Sequence, residues 1–285
     1  MYQLPKLAKV PGLVHGMSEL RHGSQSFRHV KHPSDARGNR EVFLKDLQNP
    51  PGGYPLFMIG NGISIRPGFR PPLHVEREIR SVRFLGQERS WGMFREEDEL
   101  PAEALITQDG GIFFFLTVAD CFPVVLFDPM TRTLALVHVS RVTAISRIEE
   151  KGGSGPARHF APLLSRVMDV LIGSFAVKAE NLLAAIGPGI ARNSYELDWF
   201  ERAHDPEWHP FLAVGNPGKV QVDLAGYSRW LLEGKGIAPK NIEISDLDTM
   251  TARNKEGDCR FFSHRRAAMN GEAEGRNAFA VGMSR

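Results

Sequence analysis

The chain has 285 residues, 42% hydrophobic and 24% charged, with a formal net charge of +2. That length can bury a sizeable core in a soluble globular protein, and the near-neutral balance makes nucleic acid an unexpected partner. Cys121 and Cys259 are too few for a disulfide framework, no apolar N-terminal core suggests a signal peptide, and no apolar run is of membrane length. The expectation is a cytoplasmic protein with no membrane partner.

Residues 1–38 read as irregular structure around one or two short strands. NREVFLKDLQ (39–48) has helical spacing and stops at NPPGG, and YPLFMIG follows as a strand. IRSVRFLGQERSWGMF alternates enough for another strand. ALIT, IFFFLTVA, PVVLFD and TLALVHV then read as successive strands of one largely buried sheet. HFAPLLSRVMDVLIGSFA and DLAGYSRWLLEGKG are amphipathic helices, while ENLLAAIG, NIEISDLD and NAFAVGM are strands. The alternation predicts one α/β domain with mixed sheets flanked by helices. Short basic clusters, RSVRFLGQER and FFSHRR, suit small anionic ligands.

Cys121 stands behind an acid in TVADCFPVV, and His138 closes TLALVHV. A thiol and an imidazole at the ends of consecutive buried strands can converge on one rim. There they could hold zinc or copper, or the imidazole could deprotonate the thiol to make a nucleophile. Ordinary core packing of both residues is the third alternative, and these two residues leave all three open.

LTVADCFPVVLFDP, LALVHV, AAIGPGIARNSYEL and FFSHRR with a later GR resemble, in the same order, motifs of the YfiH/laccase-domain family. RHGSQS and Asn39–Arg40 also match, so the likeness runs from about Gly16 to Met283. The resemblance implies a single compact multilayer domain over residues 1–285, with a divergent insertion around 50–100. It implies a metal held by a histidine, a cysteine and a second histidine: zinc, with copper less favoured. It also implies a small-molecule substrate, a purine nucleoside with phosphate, in an enzyme of the phosphorylase, deaminase or phenol-oxidase kind. By motif position Cys121 and His138 are metal ligands and catalytic residues, and Arg21, Arg265 and Arg266 are substrate-binding residues.

The departures from the pattern matter as much. The first family histidine has no clear counterpart: flanking residues put Arg89 there, counting from Asn39–Arg40 lands near Gly60, and His74 in PPLHVER is the one histidine of the region. A fixed cation at Arg89 would oppose a divalent metal and favour a metal-free thiolate. Where the family has HAGWRG this chain has HVSRVT, so two glycines are lost and Arg141 and Val142 replace tryptophan and arginine. Any backbone conformation that needs those glycines should be strained or absent. Few cysteines argue against a multicopper oxidase. The expectation is therefore reduced or altered activity at an incomplete metal site, with a metal-free Cys–His enzyme or a non-catalytic binding protein as alternatives.

Overall fold

The structure is a computed structural model that describes residues 1–47, 56–60, 79–81, 100–149 and 158–284. In chain order its strands are Leu13–Met17 (β1), Leu56–Gly60 (β2), Ile79–Ser81 (β3), Leu100–Pro101 (β4), Ala104–Thr107 (β5), Phe113–Val118 (β6), Phe122–Asp128 (β7) and Thr133–Val139 (β8). They continue with Arg147–Glu149 (β9), Arg158–Phe160 (β10), Leu183–Ile186 (β11), Glu196–Leu197 (β12), Leu212–Val214 (β13), Val220–Val222 (β14), Ile242–Ile244 (β15) and Asn277–Met283 (β16). The helices are Pro33–Asp46 (α1), Arg141–Ala144 (α2), Leu163–Ser174 (α3), Leu224–Gly234 (α4) and His264–Asn270 (α5).

Two mixed sheets dominate, ordered β1-β16-β6-β2-β4 and β15-β11-β7-β8-β5-β3. Strand alternation explains how they stack, because successive side chains leave a strand on opposite faces. In β8, Leu134 and Leu136 join Val125 and Phe127 of β7 and Leu105 of β5 against Phe114, Leu116, Phe279 and Val281 of the other sheet. The alternate residues Ala135, Val137 and Val139 pack instead with Leu164, Val167, Met168 and Leu171 of α3 and Tyr227 of α4. On the outer face of the five-stranded sheet, Phe113, Phe115, Ala278 and Ala280 receive Phe43 and Leu44 of α1. The order of layers is thus helix, sheet, sheet, helices, and each fully buried large apolar side chain in it contributes about 1.5–3 kcal/mol.

The mixed α/β expectation holds, with corrections. ALIT, PVVLFD and TLALVHV do share one sheet, but IFFFLTVA forms β6 in the other, between β16 and β2. Uniform burial of all four runs hid that difference, since a strand covered on both faces carries no mark of its sheet. The first helix begins at Pro33, six residues before the periodic stretch, because Pro33 suits a first helical turn and Asp35 accepts from the His32 backbone N–H at 3.2 Å. His159 and Phe160, expected in a helix, lie in β10, and α3 starts at Leu163. Of the run expected as a strand around residues 79–94, Ile79–Ser81 is a strand and the remainder lies outside the described residues. Among the described residues no helix is long and apolar enough to cross a membrane.

His15 on β1 gives a pH prediction of its own. It is 1% exposed, its Nε2 accepts the Leu4 backbone N–H at 2.8 Å, and its burial pushes its pKa down to about 4. A histidine so depressed holds the fold back from proton binding, so its stabilisation is complete above the unfolded value near 6.5 and is lost as pH falls toward 4. The loss should reach about 3 kcal/mol. Urea unfolding at pH 7 and pH 4.5 should show a smaller acid loss in His15→Gln, which keeps an acceptor for Leu4. Equal losses in the two proteins would contradict this.

Candidate functional site

Register places the first three residues of the site. Pro123 of β7 pairs with His138 of β8, and Ala104 of β5 pairs with Val137. Continuing both registers sets Glu103 directly across from His138 and Cys121 on its diagonal, all with the parity of the inter-sheet core residues Leu105, Leu136 and Val125. Cross-strand neighbours on one face lie within side-chain reach. The three therefore form a row at the end of the sandwich, one layer beyond its apolar filling.

The contacts agree. His138 Nδ1 lies 2.6 Å from Glu103 Oε2, and the His138 backbone N–H donates to the Glu103 carbonyl at 2.8 Å. Both side chains are buried. Burial works against an imidazolium here, but the Glu103 carboxylate, bonded to the ring, and the nearby Cys121 side chain hold the His138 pKa up to about 10. Cys121 and His138 thus meet, and Glu103, which the sequence reading missed, fixes the ring. The available signal was an acid abutting ALIT at the inward parity.

The segment between β6 and β7 carries the chain from one sheet to the other just before Cys121. Asp120 turns it in a left-handed conformation, φ 77°, a region that Asp visits more readily than most residues. Its carboxylate accepts from Thr249 Oγ1 at 2.7 Å, Ser263 Oγ at 3.0 Å and the Arg265 backbone N–H at 2.7 Å, while its carbonyl accepts from Ile190 N at 2.9 Å. Three separated parts of the chain, around Ile190, Thr249 and Ser263–Arg265, are thereby tied to the residue preceding the thiol. Gly189 lets one of them approach: a Cβ there would lie 2.4 Å from the Phe122 ring.

Beyond Asp120 lie Tyr195, Arg141, Glu201 and Arg265. The Arg265 guanidinium stands 5.5 Å from the centre of the Tyr195 ring. Burial pushes the Tyr195 hydroxyl up to about 12, with Arg141, Cys121, Arg265 and Glu201 the groups close enough to act on it. Arg141 Nη1 donates to both carboxylate oxygens of Glu201, at 2.5 and 2.6 Å. HVSRVT does not strain the backbone: Ser140 caps α2, accepting the Thr143 N–H at 3.3 Å, and none of these residues has positive φ. Of the two outcomes expected from the missing glycines, strain or absence of the conformation they would allow, the second holds: a serine-capped helical turn stands in its place.

The three arginines singled out by sequence part company. Arg265 is half-buried beside Cys121 through Asp120. Arg266 is 5% exposed, its guanidinium donating to the carbonyls of Thr249, Met250 and Phe261 and to Glu272. Arg21 is surface-exposed and ion-paired with Asp46 and Glu19. Arg21 and Arg266 line a different cavity of about 1020 Å³, with Arg253, Cys259 and Arg260, whose lining includes neither Cys121 nor His138.

Cys121 Sγ and His138 Nε2 fit two of the three protein positions of a catalytic zinc, and the Glu103 carboxylate on Nδ1 is the kind of partner that fixes the ring of a metal-bound imidazole. Among the described residues no group of three His, Cys, Asp or Glu side chains closes around an ion. His74 and Arg89 lie outside the described residues, and Gly60 ends β2 without a side chain to offer.

A family described as multi-copper polyphenol oxidoreductase laccase matches residues 78–284. Purine nucleoside phosphorylase of Deinococcus radiodurans is 28% identical over 171 residues, 58% of this chain and 56% of that protein. Adenosine deaminase RL5, from an unknown prokaryotic organism, is 26% identical over 175 residues, 59% of this chain and 58% of that one. The chain thus spans little more than half the length of these two relatives. The crystal structure of Bacillus licheniformis hypothetical protein YfiH superposes with a TM-score of 0.73 at 19% identity, covering 95% of this chain and 93% of the other.

Proposed function

Because the chain belongs to the multi-copper polyphenol oxidoreductase laccase family, we propose that its Cys121–His138 cleft is a reaction centre for a small substrate of the purine nucleoside class. The support is twofold. Relatives carry the names purine nucleoside phosphorylase and adenosine deaminase. The carrying observation is the row Glu103–His138–Cys121, a buried acid and imidazole lined up with a partly exposed thiol on one sheet face.

In this reading Cys121 and His138 would hold a zinc ion, which when bound supplies a polarised water or phosphate oxygen near neutral pH. The chain's own residues do the rest. Glu103 keeps His138 in one orientation and takes up charge on its ring. Asp120 fixes the backbone at Cys121 so that sulfur and imidazole stay in register. The apolar layer of Leu105, Leu136 and Val125 closes the floor against water.

A second reading rests on the same Glu103 contact. Without a metal, His138, oriented by Glu103, would take the thiol proton as Cys121 attacks an electrophilic carbon of the substrate, and would return it to the group that departs from that carbon. Metal analysis of freshly purified protein separates the two: zinc lost in Cys121→Ser supports the first, and metal-free active protein supports the second.

Purified protein should release base from inosine in phosphate, or convert adenosine to inosine. Cys121→Ser and His138→Gln should each lower the rate about 100- to 10,000-fold, the range a positioned acid–base group contributes. Rates that survive both substitutions would move the reaction elsewhere in the molecule.

A further inference from the structure

The Cys121 cleft carries more positive charge than a thiol–imidazole site requires. No ion pair is formed by Arg265 among the described residues, and its Nη2 is buried with no hydrogen-bond partner there. The nearby Asp120 carboxylate does not serve it, being spent on Thr249, Ser263 and the Arg265 backbone N–H. A buried guanidinium nitrogen without an acceptor costs free energy unless a ligand supplies one. Arg141 is arranged differently. A single nitrogen, Nη1, meets both oxygens of Glu201, where a fork-to-fork pair would use two nitrogens. Its Nε and Nη2 have no hydrogen-bond partner among the described residues, and the pair is solvent-accessible, with side chains 36% and 24% exposed.

We propose that Arg265 and Arg141, set around Tyr195 beside Cys121, form a binding site for a small oxyanion, and that Glu201 is an internal competitor for Arg141 which the incoming anion displaces. The chemistry recognised is a phosphate or carboxylate, free or borne by the organic substrate. Arg265 is the fixed cation, held through its backbone to the residue before the thiol and through its guanidinium to the Tyr195 ring. Arg141 is the adjustable one, able to exchange a one-nitrogen contact for a two-nitrogen one. The site is specific to this chain's HVSRVT sequence, since Arg141 stands where the resembling family carries tryptophan. The proposal rests on the functional reading above only for the cleft's location.

Alkylation of Cys121 reads this charge directly and needs no turnover, so an inactive protein would count against the functional reading while leaving this one intact. Rates with anionic iodoacetate and neutral iodoacetamide are measured on the full chain by peptide mass spectrometry, with chelator present to expose the thiol. Cys259 serves as the internal control. Arg265→Gln and Arg141→Gln should lower the iodoacetate-to-iodoacetamide ratio at Cys121, and Glu201→Gln should raise it. Each change should be about three- to fivefold, the effect of one unit charge several ångströms away in a solvated cleft. The ratio at Cys259 should not move, which also excludes general unfolding.

Inorganic phosphate should protect Cys121 in the wild type, more strongly in Glu201→Gln and hardly at all in Arg265→Gln. Protection by adenosine monophosphate where phosphate gives none would assign the anion to the organic substrate. A ratio at Cys121 indifferent to the arginine and Glu201 substitutions, or failure of both anions to protect, overturns the proposal.

Discussion

Glu103→Ala is expected to destabilise the protein by about 3–5 kcal/mol, because it leaves one partner of a buried charge-assisted pair without the other. Glu103 is 4% exposed and His138 8%, so water cannot readily replace the lost carboxylate. At neutral pH a His138 held up to about 10 is an imidazolium. Without Glu103, burial acts unopposed on that ring and drives it to the neutral form. For a chain of this size the melting temperature should fall by about 6–15 °C. Turnover should fall about 10- to 100-fold, as when a carboxylate that orients a functional histidine is removed. Glu103→Gln keeps an oxygen for Nδ1 and loses the charge, so it should recover part of the stability and little of the rate. A Glu103→Ala protein that melts with the wild type would show that the 2.6 Å contact contributes nothing.

The second large effect is at Asp120. Asp120→Ala removes the shared acceptor of Thr249, Ser263 and the Arg265 N–H at an 8% exposed position. Each buried donor left without a partner costs about 1–3 kcal/mol, and a β-carbon at φ 77° with no side-chain hydrogen bond to support it adds about 1–2 kcal/mol. A total near 4–6 kcal/mol is expected, allowing for partial rehydration of the hydroxyls. Asp120→Gly separates the contributions, since glycine relieves the backbone and restores no acceptor. It should remain about 3–4 kcal/mol below the wild type in urea unfolding. If glycine recovered full stability, the carboxylate's hydrogen bonds would be incidental and the backbone turn alone would matter.

Much of this site was open to a reader of the sequence. Period-two alternation in TLALVHV puts His138 on the face of Leu134 and Leu136, and the same parity in CFPVVLF puts Cys121 with Val125 and Phe127. Their convergence therefore followed from local pattern once the two runs were taken as neighbouring strands. Helical spacing likewise fixed α3, whose Leu164, Val167, Met168 and Leu171 are all buried. Glu103 escaped notice because one acid before a four-residue strand has no periodicity to give it away. Arg141 was legible only as a missing tryptophan; its carboxylate partner lies 60 residues downstream in a segment without a motif.

By itself the sequence determined most of the local geometry: which of the longer stretches extend or coil, and which side of the central strands their residues face. Those follow from backbone sterics and from burial within a few residues. Only the tertiary structure decided that β6 leaves the sheet of its neighbours, that Asp120 knots three distant segments behind the thiol, and that Glu103 completes the row. Sheet membership and side-chain pairing depend on register between segments far apart in the chain, set by the combined burial of both faces, and no single segment carries that information.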